Sequence, residues 1–165
     1  CPIFRYAEML LNAAEALNEA GKTNEAYQYV NEVRARVGMP AYSGMTQDKL
    51  RERIQNERRI ELCFEDHRFF DERRWKLFEG KTASSEKNLP RYKQVYNLYG
   101  IRWNSETEFQ YVQEEKIGTR AFASPKNYYF PIPDATLKKN PNLGQNPGWE
   151  LTDSNVNGDS SDLAE

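Results

Sequence analysis

The sequence predicts a mainly α-helical fold: helix hairpins followed by an irregular, loop-rich C-terminal portion. Three observations carry this. Apolar residues recur at helical spacing through residues 3–40 and again through 46–80. Gly21, Gly38 and Gly80 stand where those patterns stop. Beyond residue 80 the periodicity lapses, aromatic residues come at mixed spacing, and four of the eight prolines fall between 128 and 149.

Residues 3–40 read as a helix hairpin. Ile3, Ala7, Leu10, Ala14 and Leu17 lie on one helical face. Gly21 ends that helix and Thr23 is the expected N-cap of the next. Ala26, Val30, Val33 and Val37 form the second stripe, closed by Gly38 and Pro40. The small residues Ala14, Ala16, Ala20 and Ala26 let the two backbones approach closely. The run EALNEAGKTNEAYQYVNEVR resembles a tetratricopeptide unit, which makes the hairpins tetratricopeptide-like; a single copy must pack on something else, because a solenoid needs at least about three.

Residues 46–80 read as a helix pair. Thr46 caps a helix over 47–65, with Asp48 in its first turn. With Leu50 at zero on a helical wheel, Ile54 and Phe64 fall about 40° to either side, and Glu57 and Glu61 fall between them. Two carboxylates on an apolar face are costly unless paired and hydrogen-bonded. The expected structural ion-pair set is therefore Glu57 and Glu61 with Arg58, Arg68, Arg73 and Arg74, and Arg5 as a further partner. Guanidinium suits the task because its planar fork meets a carboxylate at two points. Asp66 and His67 mark a break before a short helix over 68–78, on which Phe70 and Leu77 share one side.

Residues 81–127 read as an aromatic surface excursion in which 81–88 is polar and mobile. Tyr92, Tyr96 and Tyr99 fit one helical face, and Trp103 follows. These four aromatics are the candidate ligand contacts, because Tyr and Trp pair an apolar face with a polar handle and stack on sugar rings; packing under a long loop is the competing role. Residues 128–149 form a Pro-rich strap that Trp149 pins to the body, and 151–165 a disordered tail.

Composition narrows the function. The chain has 165 residues, enough for one domain. Its hydrophobic fraction of 38% is below the usual ~45–50%, and its mean hydropathy is -0.91, so it leans on a partner or on further polypeptide. Net charge is -2, which provides no basic footprint for nucleic acid. Cys1 and Cys63 lack metal-ligand spacing and read as buried thiols. Glu57, Glu61, Glu65, Asp66 and the single His67 invite a metal or acid–base reading. However, the spacing fits neither Glu-x-x-His nor H-E-x-x-H, and the neighbouring arginines repel a cation. No catalytic residue, metal or cofactor is expected, and no Gly-rich phosphate loop is present.

Three blocks carry a family resemblance: RYAEMLLNAAEALNEAGKTNEAYQYVNEVRARVGMP, then IQNERRIELCFEDHRFFDERRWK, then YYFPIPDATLKKNPNLGQNPGW. Together they resemble the C-terminal part of the SusD/RagB family of nutrient-binding outer-membrane lipoproteins. The resemblance implies a helical, non-enzymatic protein at the bacterial cell surface. It would bind a glycan or oligosaccharide and act with a TonB-dependent SusC-like transporter, held to the membrane by a lipid anchor outside this chain. It further implies that residues 1–150 are one C-terminal region of a longer protein. Asp66 stands where the family usually has Gly in its E-G-H-R motif; a left-handed backbone there explains both residues. The alternative is a tetratricopeptide-like protein-interaction module without saccharide binding.

Overall fold

The computed structural model describes residues 4–80, 85–100, 102–103, 109–110, 116–140 and 142–150. Cys1, Ile3 and the tail over 151–165 lie outside them. The chain is mainly helical, with five helices among the described residues: α1 (Tyr6–Glu19), α2 (Thr23–Arg36), α3 (Gln47–Glu61), α4 (His67–Arg74) and α5 (Asp134–Lys139). Four short strands accompany them: β1 (Asn97–Tyr99), β2 (Arg102–Trp103), β3 (Phe109–Gln110) and β4 (Lys116–Thr119). The chain divides into two compact units, one holding 1–75 and 90–92, the other 76–89 and 93–165.

In the first unit α1 and α2 form the expected hairpin, and α3 packs on both. The turn works as its glycine demands. Gly21 has φ 77°; its N–H donates to Asn18 O and that of Lys22 to Leu17 O, satisfying carbonyls that the helix end leaves open. Gly38, with φ 70°, repeats the device at the end of α2 through Ala35 O and Arg34 O. Thr23 does not cap α2. It is the first helical residue, after Lys22, and its hydroxyl donates to Asn18 Oδ1. Thr46 does cap α3, accepting from Lys49 N.

The core is Leu10, Leu11, Ala14, Ala26, Val30, Val33, Leu50, Ile54 and Leu62. Of the four alanines expected at the helix contact, Ala14 and Ala26 are fully buried while Ala16 and Ala20 are exposed. Val37 is exposed as well, because α2 has already ended. Paired side-chain clamps tie loops to helices. Asn18 and Gln47 exchange amide bonds with each other's carbonyls, and Asn31 holds both N and O of Tyr42.

Both helices of the second pair are shorter than expected. α3 stops at Glu61, and Phe64 takes φ 64° and is fully exposed, so the helical wheel no longer applies to it. Asp66, with φ 63°, supplies the left-handed break before α4. α4 ends at Arg74 because Lys76 is again left-handed. Phe70 is exposed while Leu77 is buried, so the two do not share a face. Cys63 is exposed rather than buried, since it follows the helix end.

The second unit corrects the reading of 81–127. Its strands form two antiparallel ladders, β1 with β4 and β2 with β3, where no strand was expected. Tyr92, which belongs to the first unit, sits in a 3-10 turn and Tyr99 in β1, so the tyrosines do not share a helical face. Glu86, placed by the sequence in a polar mobile run, is fully buried. Its carboxylate accepts from the backbone N–H of Val95 at 2.5 Å, of Asn97 at 2.5 Å, and of Tyr96. Phe78 is the aromatic centre: it stacks on Phe122 at 4.0 Å and meets Tyr96 edge-on, and Phe122 meets Tyr128. The Pro-rich strap closes on itself. Gln145 bonds both N and O of Ile132, Asn146 donates to Phe130 O, and the Trp149 indole donates to Lys126 O and Tyr129 O.

Candidate functional site

Three places compete for a role: the charged stretch 56–75, the aromatics after residue 90, and the strap. The charged stretch is knit by ion pairs, and of the partners expected for Glu57 and Glu61 only Arg5 is met, at Glu61. Glu57 pairs with Arg34 of α2 at 2.7 Å, the two side chains only 11% and 8% exposed. Arg34 also donates to Pro40 O and lies 3.8 Å from the centre of the Tyr42 ring. Burial, followed by the Glu57 charge, raises the Tyr42 phenol above its ordinary range. Glu61 takes Arg5 at 2.7 Å and Arg36 at 2.9 Å. Arg5 bridges onward to Glu65; those contacts, Glu65 first, raise the guanidinium further and lower the Glu65 carboxyl.

The arginines of 58–74 serve other carboxylates. Arg58, buried, bonds Asp71 at 3.1 Å and Asn12. Arg74 bonds Asp71 at 2.8 Å and Glu15, which also accepts from the Trp75 indole. Arg68 pairs with Glu72 at 2.7 Å and donates to Tyr92 O; burial lowers its pKa, against the pull of Glu72. Arg73 lies over the Phe69 ring at 3.4 Å and donates to Phe69 O. His67 faces the buried Glu8 at 3.7 Å. The wheel placed Glu57 and Glu61 facing inward, but it cannot say which helix they face. That helix is α2, joined by the N-terminus of α1. Among the described residues no cluster of His, Cys, Asp or Glu suits a metal ion.

This geometry sets the cost of Glu61→Ala. Arg36 is 60% exposed and Arg5 keeps Glu65, so we expect a loss of about 1.5–3 kcal/mol, the range for a hydrogen bond to a charged group. Urea unfolding of the variant checks this; a loss above about 4 kcal/mol contradicts it.

The aromatic candidates are dispersed. The Tyr96 hydroxyl donates to Phe78 O at 2.8 Å. Tyr92 is half-buried, and burial, with a smaller push from Glu52, raises its phenol to about 12. Tyr99 is half-buried beside the irregularity that shifts the β1–β4 register. Trp103 pairs with Phe109 in the β2–β3 ladder, its side chain outside the described residues. Since the folded Tyr92 holds its proton above the ordinary ~10, its contribution to stability is complete below about pH 10. It is lost as pH climbs through about 12. Absorbance titration at 295 nm should show a late-ionising phenol in the folded wild type that Tyr92→Phe lacks; an unchanged late phase in the variant refutes this.

Fold and site define a class: a mainly helical module of tetratricopeptide-like hairpins, secured by buried carboxylate–guanidinium pairs and carrying a proline-rich strap. The model for the SusD family matches residues 1–149. SusD-like protein P2 of Formosa agariphila is 34% identical over 155 residues, covering 88% of this chain and 25% of that protein. SusD-like protein P38 of the same organism is 40% identical over 78 residues, 42% of this chain and 16% of that protein. The crystal structure of a SusD-like protein from Bacteroides fragilis matches with a TM-score of 0.71 at 38% identity, over 88% of this chain and 25% of that one. The chain belongs to the SusD family. It spans about a quarter of the length of P2 and of the solved structure.

Proposed function

We propose that this chain belongs to the nutrient-binding component of an outer-membrane uptake system, taking a glycan or oligosaccharide and acting with a TonB-dependent SusC-like transporter. The observation that carries this reading is the SusD family match over residues 1–149. SusD-like proteins bind rather than catalyse, and the charged stretch supports a structural role for its carboxylates, since those of Glu57, Glu61 and Asp71 are engaged by guanidinium groups. Location at the cell surface extends what is typical of the family.

Tyr99 and Trp103 are the proposed ligand contacts among the four aromatics, because the Tyr96 hydroxyl donates to Phe78 O and the Tyr92 hydroxyl is buried. Isothermal titration against a panel of oligosaccharides tests the reading. We expect a saturable heat with at least one neutral glycan, weakened by Tyr99→Ala or Trp103→Ala. Absence of binding across the panel, with capture of a transporter retained, favours the pure interaction module.

A further inference from the structure

The strap encloses an open cleft of about 470 Å³, floored by Pro131, Ile132, Pro133, Leu137 and Trp149 and flanked by the carboxylates of Asp134 and Glu150. That volume lies within the ~300–1,000 Å³ of small-molecule sites, which are mostly apolar with a few placed polar groups. The site is organised before any ligand arrives. The Trp149 N–H is held by Lys126 O at 3.0 Å and Tyr129 O at 3.2 Å, and the Lys126 ammonium sits 4.1 Å from the ring centre. The ring is thereby fixed in orientation while remaining part-exposed in the cleft lining. Gln145 locks Ile132 between the two prolines through bonds to its N and O. Glu150 Oε2 accepts from Gly148 N at 2.6 Å, and among the described residues no partner holds its second oxygen or the exposed Asp134.

We propose that this cleft is a subsite for a neutral pyranose, a hexose or 6-deoxyhexose. Its C–H face or methyl group would lie on Trp149 and the proline edges, and its hydroxyls would donate to Asp134 and Glu150. The inference rests on the glycan-binding reading above and gives it a place in this chain. A sugar ring matches the lining because it carries apolar C–H faces and a girdle of hydroxyl donors. An aromatic face suits the former, and hydroxyl-to-carboxylate bonds are the stronger, charge-assisted kind. The lining residues include two acids and no Lys or Arg, and the nearby Lys126 ammonium is engaged over the Trp149 ring, so a uronate or sulfated sugar meets net repulsion.

The test uses the full chain labelled with 15N and three probes: methyl β-D-glucopyranoside, methyl α-L-fucopyranoside and methyl β-D-glucuronide. The Trp149 indole resonance is assigned by its loss in Trp149→Phe. We expect at least one neutral glycoside to shift that resonance saturably and the glucuronide to leave it unmoved. The Asp134→Asn/Glu150→Gln variant, which alters exposed side chains, is expected to bind the neutral sugar about tenfold more weakly, the equivalent of 1.4 kcal/mol. Undiminished binding by that variant, equal response to the glucuronide, or shifts confined to residues such as Tyr99 overturns the cleft and leaves the glycan reading standing. No shift anywhere with any probe overturns both.

Discussion

Glu57→Ala is expected to lower the unfolding free energy by about 3–5 kcal/mol, the cost of leaving a buried charge without its partner. Arg34 is only 8% exposed at its side chain, and among the described residues its one carboxylate partner is Glu57, at 2.7 Å. Its remaining contacts are neutral: the carbonyl of Pro40, the Tyr42 hydroxyl and the Tyr42 ring. None neutralises the guanidinium, and Arg cannot shed its proton at ordinary pH. The same reasoning separates pair from partner. Arg34→Met combined with Glu57→Leu removes both charges, and should restore stability to within about 1 kcal/mol of wild type or better. Urea unfolding followed by far-UV circular dichroism measures both variants, with an unchanged m-value showing that the denatured state is not responsible. If the single variant loses under about 1 kcal/mol, water reaches Arg34 and the pair is not a buried one.

Glu86→Ala is expected to cost on the order of 3–9 kcal/mol, because three backbone N–H groups lose their acceptor together, at ~1–3 kcal/mol for each buried donor left unsatisfied. Those donors belong to Val95, Tyr96 and Asn97, the approach to β1 and its first residue. Val95 is 1% exposed and Asn97 8%, so water does not readily replace the carboxylate. Glu86→Gln separates charge from shape. Its carbonyl oxygen can serve the two donors that Glu86 Oε1 serves, while its amide meets the third as donor against donor. We expect about half the loss of the alanine variant. Amide hydrogen exchange is the direct measurement, with protection at 95–97 collapsing in Glu86→Ala. Retained protection there would show that the carboxylate is incidental to the local fold.

These two residues illustrate what could be read in advance. Glu57 announces itself, because a helical wheel needs only local spacing to place it beside Leu50 on the apolar face. Its partner does not, because Arg34 is 23 positions away and sits on α2 by virtue of the hairpin's packing. Glu86 announces nothing: it stands in a run of polar residues, and only its three donors, 9 to 11 positions downstream, reveal it. The β1–β4 and β2–β3 ladders were equally hidden. Strands of two to four residues are too short to display alternation. The strap was legible as an extended, turn-rich segment, but neither the return of Trp149 to Lys126 O and Tyr129 O nor the cleft was, since the cleft lining joins residues 131–137 to 145–150.

The sequence by itself determined the helical hairpins, the glycine turns at 21 and 38, the cap at Thr46, the left-handed break at Asp66 and the family. All of these depend on contacts within about four residues, or on motifs copied whole. Tertiary structure alone decided which arginine neutralises which carboxylate, that Glu86 is a buried clamp, that Cys63 and Phe64 face solvent, and that the strap folds around a cleft. Those outcomes are set by which distant faces meet, and the spacing of residues along one element carries no information about the element opposite it.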